Sequence, residues 1–477
     1  MAFSRGLLVT SLLLGFGCLA LPGAGADTVA SAISASSVDT VVAGSTTPVC
    51  TVTGHGKSNA KVDLLAADRG YTFAYNKKTW WLFGDTMPTT TPARGVKFAD
   101  DLDNDSMATS PLTKPGHCPT LTFATKDAPI AGAYANPSVI PDPWPGTPPV
   151  PQVSLKTGES AVAGLQVDGT TYVVFETDNP TQAVPPRGSN CGTGCYGADT
   201  RSVMAKLTNA QSLTFQGLYD LSAPSVTDRY GDGAKFVDVA MELGNDGYVY
   251  LWGIPGGTQS KMGAPYLARM RPADMGTGAG ITYFDGYYTD GAPKFGAEEP
   301  NATTIFSDAP PCARSIGVNW NGWLGQWLML YDCDDASVGH PAGIYLRTAP
   351  NPWGPWSSPQ TVFDPRPWSV PAKPDQPDAS TKQGFCYFMH DPQPKECPVG
   401  SLNRPTKSKR SGAYYGPYFV NGMTTGTYGT KATPARSTIF YTLDTDNPYG
   451  QLILRTTLVG PSVVVPPTPP CKGTTCM

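Results

Sequence analysis

Asp68 and Asp85 are the residues of this chain best placed to do chemistry together. They stand in the segments Ala66-Ala67-Asp68-Arg69-Gly70 and Trp80-Trp81-Leu82-Phe83-Gly84-Asp85-Thr86, on either side of Asn76-Lys77. A two-residue turn at Asn76-Lys77 pairs Tyr75 with Lys78 and carries Asp85 to a point opposite Asp68. Opposed residues have Cβ atoms roughly 4.5–5.5 Å apart, and like charges there repel. One carboxyl of such a pair keeps its proton while the other ionises. Two carboxyl groups about 5–5.5 Å apart suit glycoside cleavage with retention, one attacking the anomeric carbon and one protonating the leaving oxygen. The plain alternative is a pair of ordinary turn and strand-end aspartates.

Other polar residues compete for the same work. Glu159 and Asp178 face each other if Asp168-Gly169 is a two-residue turn. Asp238 and Glu242 occupy the inner strand of a third strand unit, where they are expected to bind sugar hydroxyls or brace the rim. Trp320, read as a turn residue, is the tryptophan best suited to stack on a sugar ring. Asp100–Ser106 starts like a calcium loop, but Ser106 stands where glycine is needed and Leu112 where the bidentate glutamate is needed. The four histidines and the lack of paired Cys-x-x-Cys spacing argue against zinc, so no metal or cofactor is expected. Serine-hydrolase elbows and phosphate loops are missing from the sequence. A net charge of −4 argues against a nucleic-acid partner.

The elements that must position these residues repeat along the chain. Thr79–Asp85, Thr171–Thr177, Tyr248–Gly253, Gln326–Asp332 and Thr438–Asp444 are short aromatic and β-branched strands, each running into a small or acidic residue. Asn76-Lys77, Asp168-Gly169, Asp246-Gly247 and Asn321-Gly322 supply hairpin signals before the first four. A second strand follows in four units, at Ser202–Leu207, Pro265–Met270, Gly343–Thr348 and Gln451–Thr457. Five small antiparallel sheets predict an all-β, five-bladed propeller with long Pro/Gly-rich insertions. A pair of β-sandwiches would not require one cassette five times. The insertions are Asn136–Gln152, Val184–Thr200 and Asp364–Gly412, read as surface loops.

Arg5, the apolar run from Leu7 to Leu21 and Ala24-Gly25-Ala26 read as a secretory signal peptide. The expected organisation is a signal over residues 1–26, a linker over 27–46, the propeller over 47–460 and a Pro-rich tail over 461–477. The mature protein is expected to be extracellular, with no stable membrane insertion, and to act as a monomer. Setting Cys18 aside leaves ten of the 11 cysteines, an even number suited to an oxidising compartment. Spacing suggests bridges Cys50–Cys118, Cys191–Cys195, Cys312–Cys333, Cys386–Cys397 and Cys471–Cys476. Asn104-Asp105-Ser106 and Asn301-Ala302-Thr303 are glycosylation sequons.

The chain resembles glycoside hydrolase family 183, the endo-D-arabinanases. The resemblance rests on Ala67-Asp68-Arg69-Gly70, Leu82-Phe83-Gly84-Asp85-Thr86, Tyr248–Gly253 with Tyr266-Leu267-Ala268-Arg269, and Val318-Asn319-Trp320-Asn321 with Leu324-Gly325-Gln326-Trp327. It continues in Pro352-Trp353-Gly354-Pro355-Trp356 and in Thr442–Arg455, so it spans roughly residues 60–458. It implies a five-bladed propeller that cleaves α-D-arabinofuranosyl linkages in the arabinan of mycobacterial arabinogalactan and lipoarabinomannan. It also implies a retaining pair that maps onto Asp85 as nucleophile and Asp68 as acid/base. Family members more often carry threonine and leucine where this chain has Ala67 and Arg69. Arg69 beside Asp68 can alter that carboxyl's ionisation or meet an extended substrate. Two other readings stand beside this one: an inverting furanosidase of the plant-arabinan type with its partner carboxylate on another blade, such as Asp238, and a non-catalytic sugar-binding propeller.

Overall fold

The computed structural model describes residues 41–54, 64–88, 105–112, 114–123, 153, 160–177, 201–209, 214–223, 234–255, 263–306, 312–333, 343–364, 414–430, 432–446 and 449–461. These residues form five antiparallel sheets arranged as the blades of a propeller. The first strand in the chain, β1 (Val42–Thr53), belongs to the last blade. Blade one is β2 (Leu64–Tyr75), β3 (Lys78–Pro88), β4 (Ser106–Pro111) and β5 (Thr122–Phe123), from the channel outward. Blade two is β6 (Ser160–Val167), β7 (Thr170–Thr177), β8 (Arg201–Asn209) and β9 (Thr214–Ser222). Blade three is β10 (Asp238–Leu243), β11 (Val249–Ile254), β12 (Tyr266–Met270), β13 (Thr282–Tyr287) and β14 (Pro293–Gly296). Blade four is β15 (Ile316–Asn321), β16 (Gln326–Cys333), β17 (Gly343–Ala349) and β18 (Gln360–Phe363). Blade five combines β19 (Tyr414–Tyr415), β20 (Thr425–Thr427), β21 (Arg436–Asp446) and β22 (Tyr449–Val459) with β1 on its outer edge.

The ring is closed by pairing the two ends of the domain, β1 against β22. Blade five therefore begins at Val42, inside the stretch read from sequence as linker. Blade one also has the second outer strand that the sequence signals missed, β4, which buried Ser106 opens directly after buried Asp105.

Each second strand is a continuous apolar run because both of its faces are buried against neighbouring blades. In β3, Trp80 and Leu82 pack with blade two, while Trp81 and Phe83 pack with blade five. In β16, Trp327, Met329 and Tyr331 face blade three, whereas Leu328 and Leu330 face blade five. The core thus lies between the blades, and alternation shows as a switch of neighbour instead of a switch between water and core.

The turns follow their residues. Asn76 and Lys77 have φ of 54° and 60°, and Asp168 and Gly169 have 49° and 78°. Both positions are left-handed in each turn, as a type I′ hairpin demands. Asn321-Gly322 behaves differently: Asn321 pairs with Gln326, and its Oδ1 accepts the Leu324 N–H at 3.1 Å, which closes a four-residue loop. Cys50–Cys118 and Cys312–Cys333 are bonded as expected. The other three expected bridges, the signal segment, Glu159, Asp178 and, Asp364 apart, the three insertions lie outside the described residues.

Candidate active site

The β2/β3 register departs from the expected one at the residues that matter most. Pairing runs as anticipated from Tyr75↔Lys78 to Tyr71↔Leu82. Gly70 then adds an extra residue to β2, so Arg69 meets Phe83 and Asp68 meets Gly84. A compensating extra residue on β3, in the step that holds Asp85 and Thr86, restores the register at Ala66↔Met87. Asp68 therefore stands opposite Gly84 and not Asp85, whose side chain lies outside the described residues. Bulges increase local twist and re-aim side chains, and here two of them bracket one aspartate and one arginine.

Gly84 is the partner that this arrangement requires. A Cβ there would lie 2.9 Å from Arg69 Cγ, 3.0 Å from Asp68 Oδ1 and 3.2 Å from Ser160 Cβ. Asp68 is buried, and the Tyr415 hydroxyl on β19 donates a hydrogen bond to its Oδ2.

Arg69 holds the cluster together from a left-handed backbone, with φ of 63°. Its Nη2 pairs with Glu176 Oε1 at the end of β7. Its Nη1 lies 3.4 Å from Asp238 Oδ2 at the start of β10 and 3.4 Å from the Tyr418 hydroxyl. Burial opposes the charge on Arg69, but Glu176, Tyr418, Asp238 and Asp68 outweigh it and hold the pKa above its ordinary value. Asp332 on β16 accepts the Ser315 N–H at 2.7 Å and has Arg314 Nε 3.6 Å from its other oxygen. Asp444 on β21 accepts a 2.9 Å hydrogen bond from Gln451 Nε2. Each blade thus sends at least one acidic residue to the same end of the channel.

Such a cluster does not ionise fully. Burial raises Asp238 to about 6; Arg69 pulls it down and Asp332 pushes it further up. Burial and then the charge of Asp68 push Asp444 well above the carboxylate range. Asp68 thus lies among carboxyls whose burial raises their pKa, an electrostatic setting that favours general acid chemistry.

The remaining expected residues fall elsewhere. Glu242 lies four residues along β10 from Asp238, and Asn319 Nδ2 donates to its Oε2 at 3.3 Å. It lines a channel cavity of about 20 Å³ with Tyr71, Thr72, Asn319 and Asn421, room for one water. Burial lifts its carboxyl to about 7, against the hydrogen bonds from Asn319 and the Leu243 backbone. Trp320 is not in a turn: it is the fifth residue of β15, half-buried, with its ring 5.6 Å from that of Trp327. Glu176, Asp332, Asp444, Tyr415 and Tyr418 went unassigned in the sequence, although the acidic residues that end the repeated strands were the available signal. No group of potential metal ligands is found among the described residues.

A five-bladed propeller with a buried acidic cluster at one end of its channel is the class that fold and site define. The chain belongs to the family described as "Domain of unknown function (DUF4185)", which it matches over residues 53–449. No curated protein matches it. Among solved structures, it is similar to an α-L-arabinofuranosidase from Podospora anserina at 10% identity, covering 88% of this chain and 97% of that one with a TM-score of 0.37. It is similar to a Bacillus subtilis arabinanase at 11% identity, covering 82% and 95% with a TM-score of 0.37. It is similar as well to an N-acetylgalactosamine deacetylase from F. plautii at 11% identity, covering 87% and 95% with a TM-score of 0.40. Similarity at this level carries over no function.

Proposed function

We propose that this protein is a secreted retaining glycoside hydrolase that cleaves α-D-arabinofuranosyl linkages in arabinan of the mycobacterial arabinogalactan type. The observation that carries the reading is Asp68, buried at the channel end, bonded by Tyr415 and followed by the guanidinium at the centre of the carboxyl cluster. The resemblance through the Ala67–Gly70 and Leu82–Thr86 segments supplies the substrate class.

The contacts favour exchanging the two roles assigned from sequence. A hydroxyl donor on Oδ2 and a neighbouring guanidinium both stabilise negative charge on Asp68. We therefore assign Asp68 as nucleophile and Asp85, one residue beyond its cross-strand partner, as acid/base. Asp68 attacks the anomeric carbon as Asp85 protonates the departing oxygen; Asp85 then takes a proton from the water that hydrolyses the glycosyl ester.

A second reading gives the proton-donor role to Asp238, whose carboxyl is raised to about 6 and sits on another blade across Arg69. In this reading the enzyme inverts, with Asp68 in place of Asp85 activating water. Proton NMR of the first-formed product separates them: retention of the α-anomer supports the Asp68/Asp85 pair, and inversion supports Asp68 with Asp238.

A further inference from the structure

The backbone around Asp68 is gripped on both sides by the two strands that close the ring. On the N-terminal side, the buried hydroxyl of Thr53, at the end of β1, donates to the Ala67 carbonyl at 2.5 Å and lies 3.3 Å from the Ala67 N–H. On the C-terminal side, Gln451 Nε2 on β22 donates to the Arg69 carbonyl at 2.6 Å. Thr53 and Gln451 are cross-strand partners in the β1/β22 ladder that joins the ends of the domain. One blade thus holds residues 67 and 69 and leaves the side chain of Asp68 between them.

The grip has work to do because the held segment is strained. Arg69 and Gly70 are consecutive left-handed residues, with φ of 63° and 61°. Such a conformation persists in a non-glycine residue only when its surroundings over-determine it. Arg69 is held at the guanidinium by Glu176 and at the carbonyl by Gln451. Gly70 has no alternative residue, since a Cβ there would overlap the Gln451 amide.

Asp444 fixes the amide in turn. Gln451 gives one N–H to the Arg69 carbonyl and the other to Asp444 Oδ1 at 2.9 Å, which ties the amide between the two. Gly416, at φ of 64°, leaves space for the second Asp444 oxygen, which a Cβ would overlap.

We propose that Thr53 and Gln451 are positioning residues for Asp68, so that the carboxylate takes its reactive place only when the two ends of the domain are zipped together in blade five. The kinetic consequence rests on Asp68 being the reacting group; the geometric one does not.

The test uses Thr53→Val, Thr53→Ser, Gln451→Met, the Thr53→Val/Gln451→Met double variant and Asp68→Asn in the full chain, with thermal unfolding confirming that each is folded. Crystal structures of the double variant are expected to show Arg69 outside the left-handed region and Asp68 away from the Tyr415 hydroxyl. With arabinogalactan as substrate, kcat is expected to fall about 100-fold in Thr53→Val and in Gln451→Met, the cost of misplacing a reacting group by an ångström, while KM holds and Thr53→Ser recovers kcat. If Asp68 stays on the Tyr415 hydroxyl in the double variant, the positioning role is overturned. It is equally overturned if Asp68→Asn abolishes turnover while Thr53→Val and Gln451→Met keep wild-type kcat. If Asp68→Asn itself turns over normally, the proposed function fails, and the crystal structures still decide whether the strands position Asp68.

Discussion

Asp68 is the residue on which the proposed chemistry turns, and its surroundings make distinct predictions from those of the other acids. Asp68→Asn removes the attacking oxygen while keeping the hydrogen-bonding shape, so kcat/KM should fall by about 10³-fold or more at unchanged thermal stability. Steady-state kinetics beside a melting curve checks this. Asp238 is raised to about 6 by burial, so if it donates the proton, activity should decline as pH rises through that value. That limb should be absent from the residual activity of Asp238→Asn, and an unchanged limb would remove Asp238 from the reaction. Glu242 makes a stability prediction instead. Its carboxyl is raised from 4.5 to about 7 in the fold, so the folded state binds the proton more tightly than the unfolded one. The stability that this proton contributes is full below pH 4.5 and is lost as pH rises through about 7. Glu242→Gln does not titrate and keeps the Asn319 contact, so its Tm relative to wild type should climb across that window; parallel Tm curves would contradict the assignment.

At the scale of elements, the site depends on two compensating bulges in a single hairpin. Gly84→Ala places a methyl against Arg69, Asp68 and Ser160, a cost of about 1–3 kcal/mol by overpacking, and it should depress kcat more than it lowers Tm. Equal and small effects on both would mean that Asp68 yields freely. The same hairpin shows what could be read in advance. Asn76-Lys77 set the turn, and the run from Trp80 to Phe83 set a strand buried on both faces, so blade and pairing were legible as far as Tyr71↔Leu82. The shift at Gly70 was not, although a lone glycine inside a strand is a bulge signal. The space that excludes a side chain there is filled by Gln451, 381 residues along the chain, and local sequence carries no such information. Trp320 was missed for a related reason: Asn321-Gly322 looked like a two-residue turn, whereas Asn321 caps a longer loop and leaves Trp320 within the strand. The acidic cluster was half legible, since Glu176, Asp332 and Asp444 stand one or two residues before the ends of the repeated strands, but only the ring brings them together.

The propeller is a ring that holds the proposed catalytic segment by the way it closes. Repetition of one cassette made that architecture readable, because five sheets whose strands are apolar on both faces can satisfy them only against one another. Cys312–Cys333 closes a 21-residue separation between the entrance to β15 and the end of β16, and replacing both cysteines by serine should cost about 3 kcal/mol in chemical denaturation, with blade four the first to exchange amide protons. An unchanged midpoint would show that packing alone holds that blade. The measurement that tests the central claim most directly is hydrolysis of mycobacterial arabinogalactan by the purified, oxidised protein, with Asp68→Asn and Asp85→Asn alongside, reading oligosaccharides by chromatography and the anomer of the first product by NMR. The account predicts arabino-oligosaccharides with retained α-configuration from the wild type and none from either variant. Turnover by Asp68→Asn at the wild-type rate, or no product from arabinogalactan with any form of the protein, would contradict it.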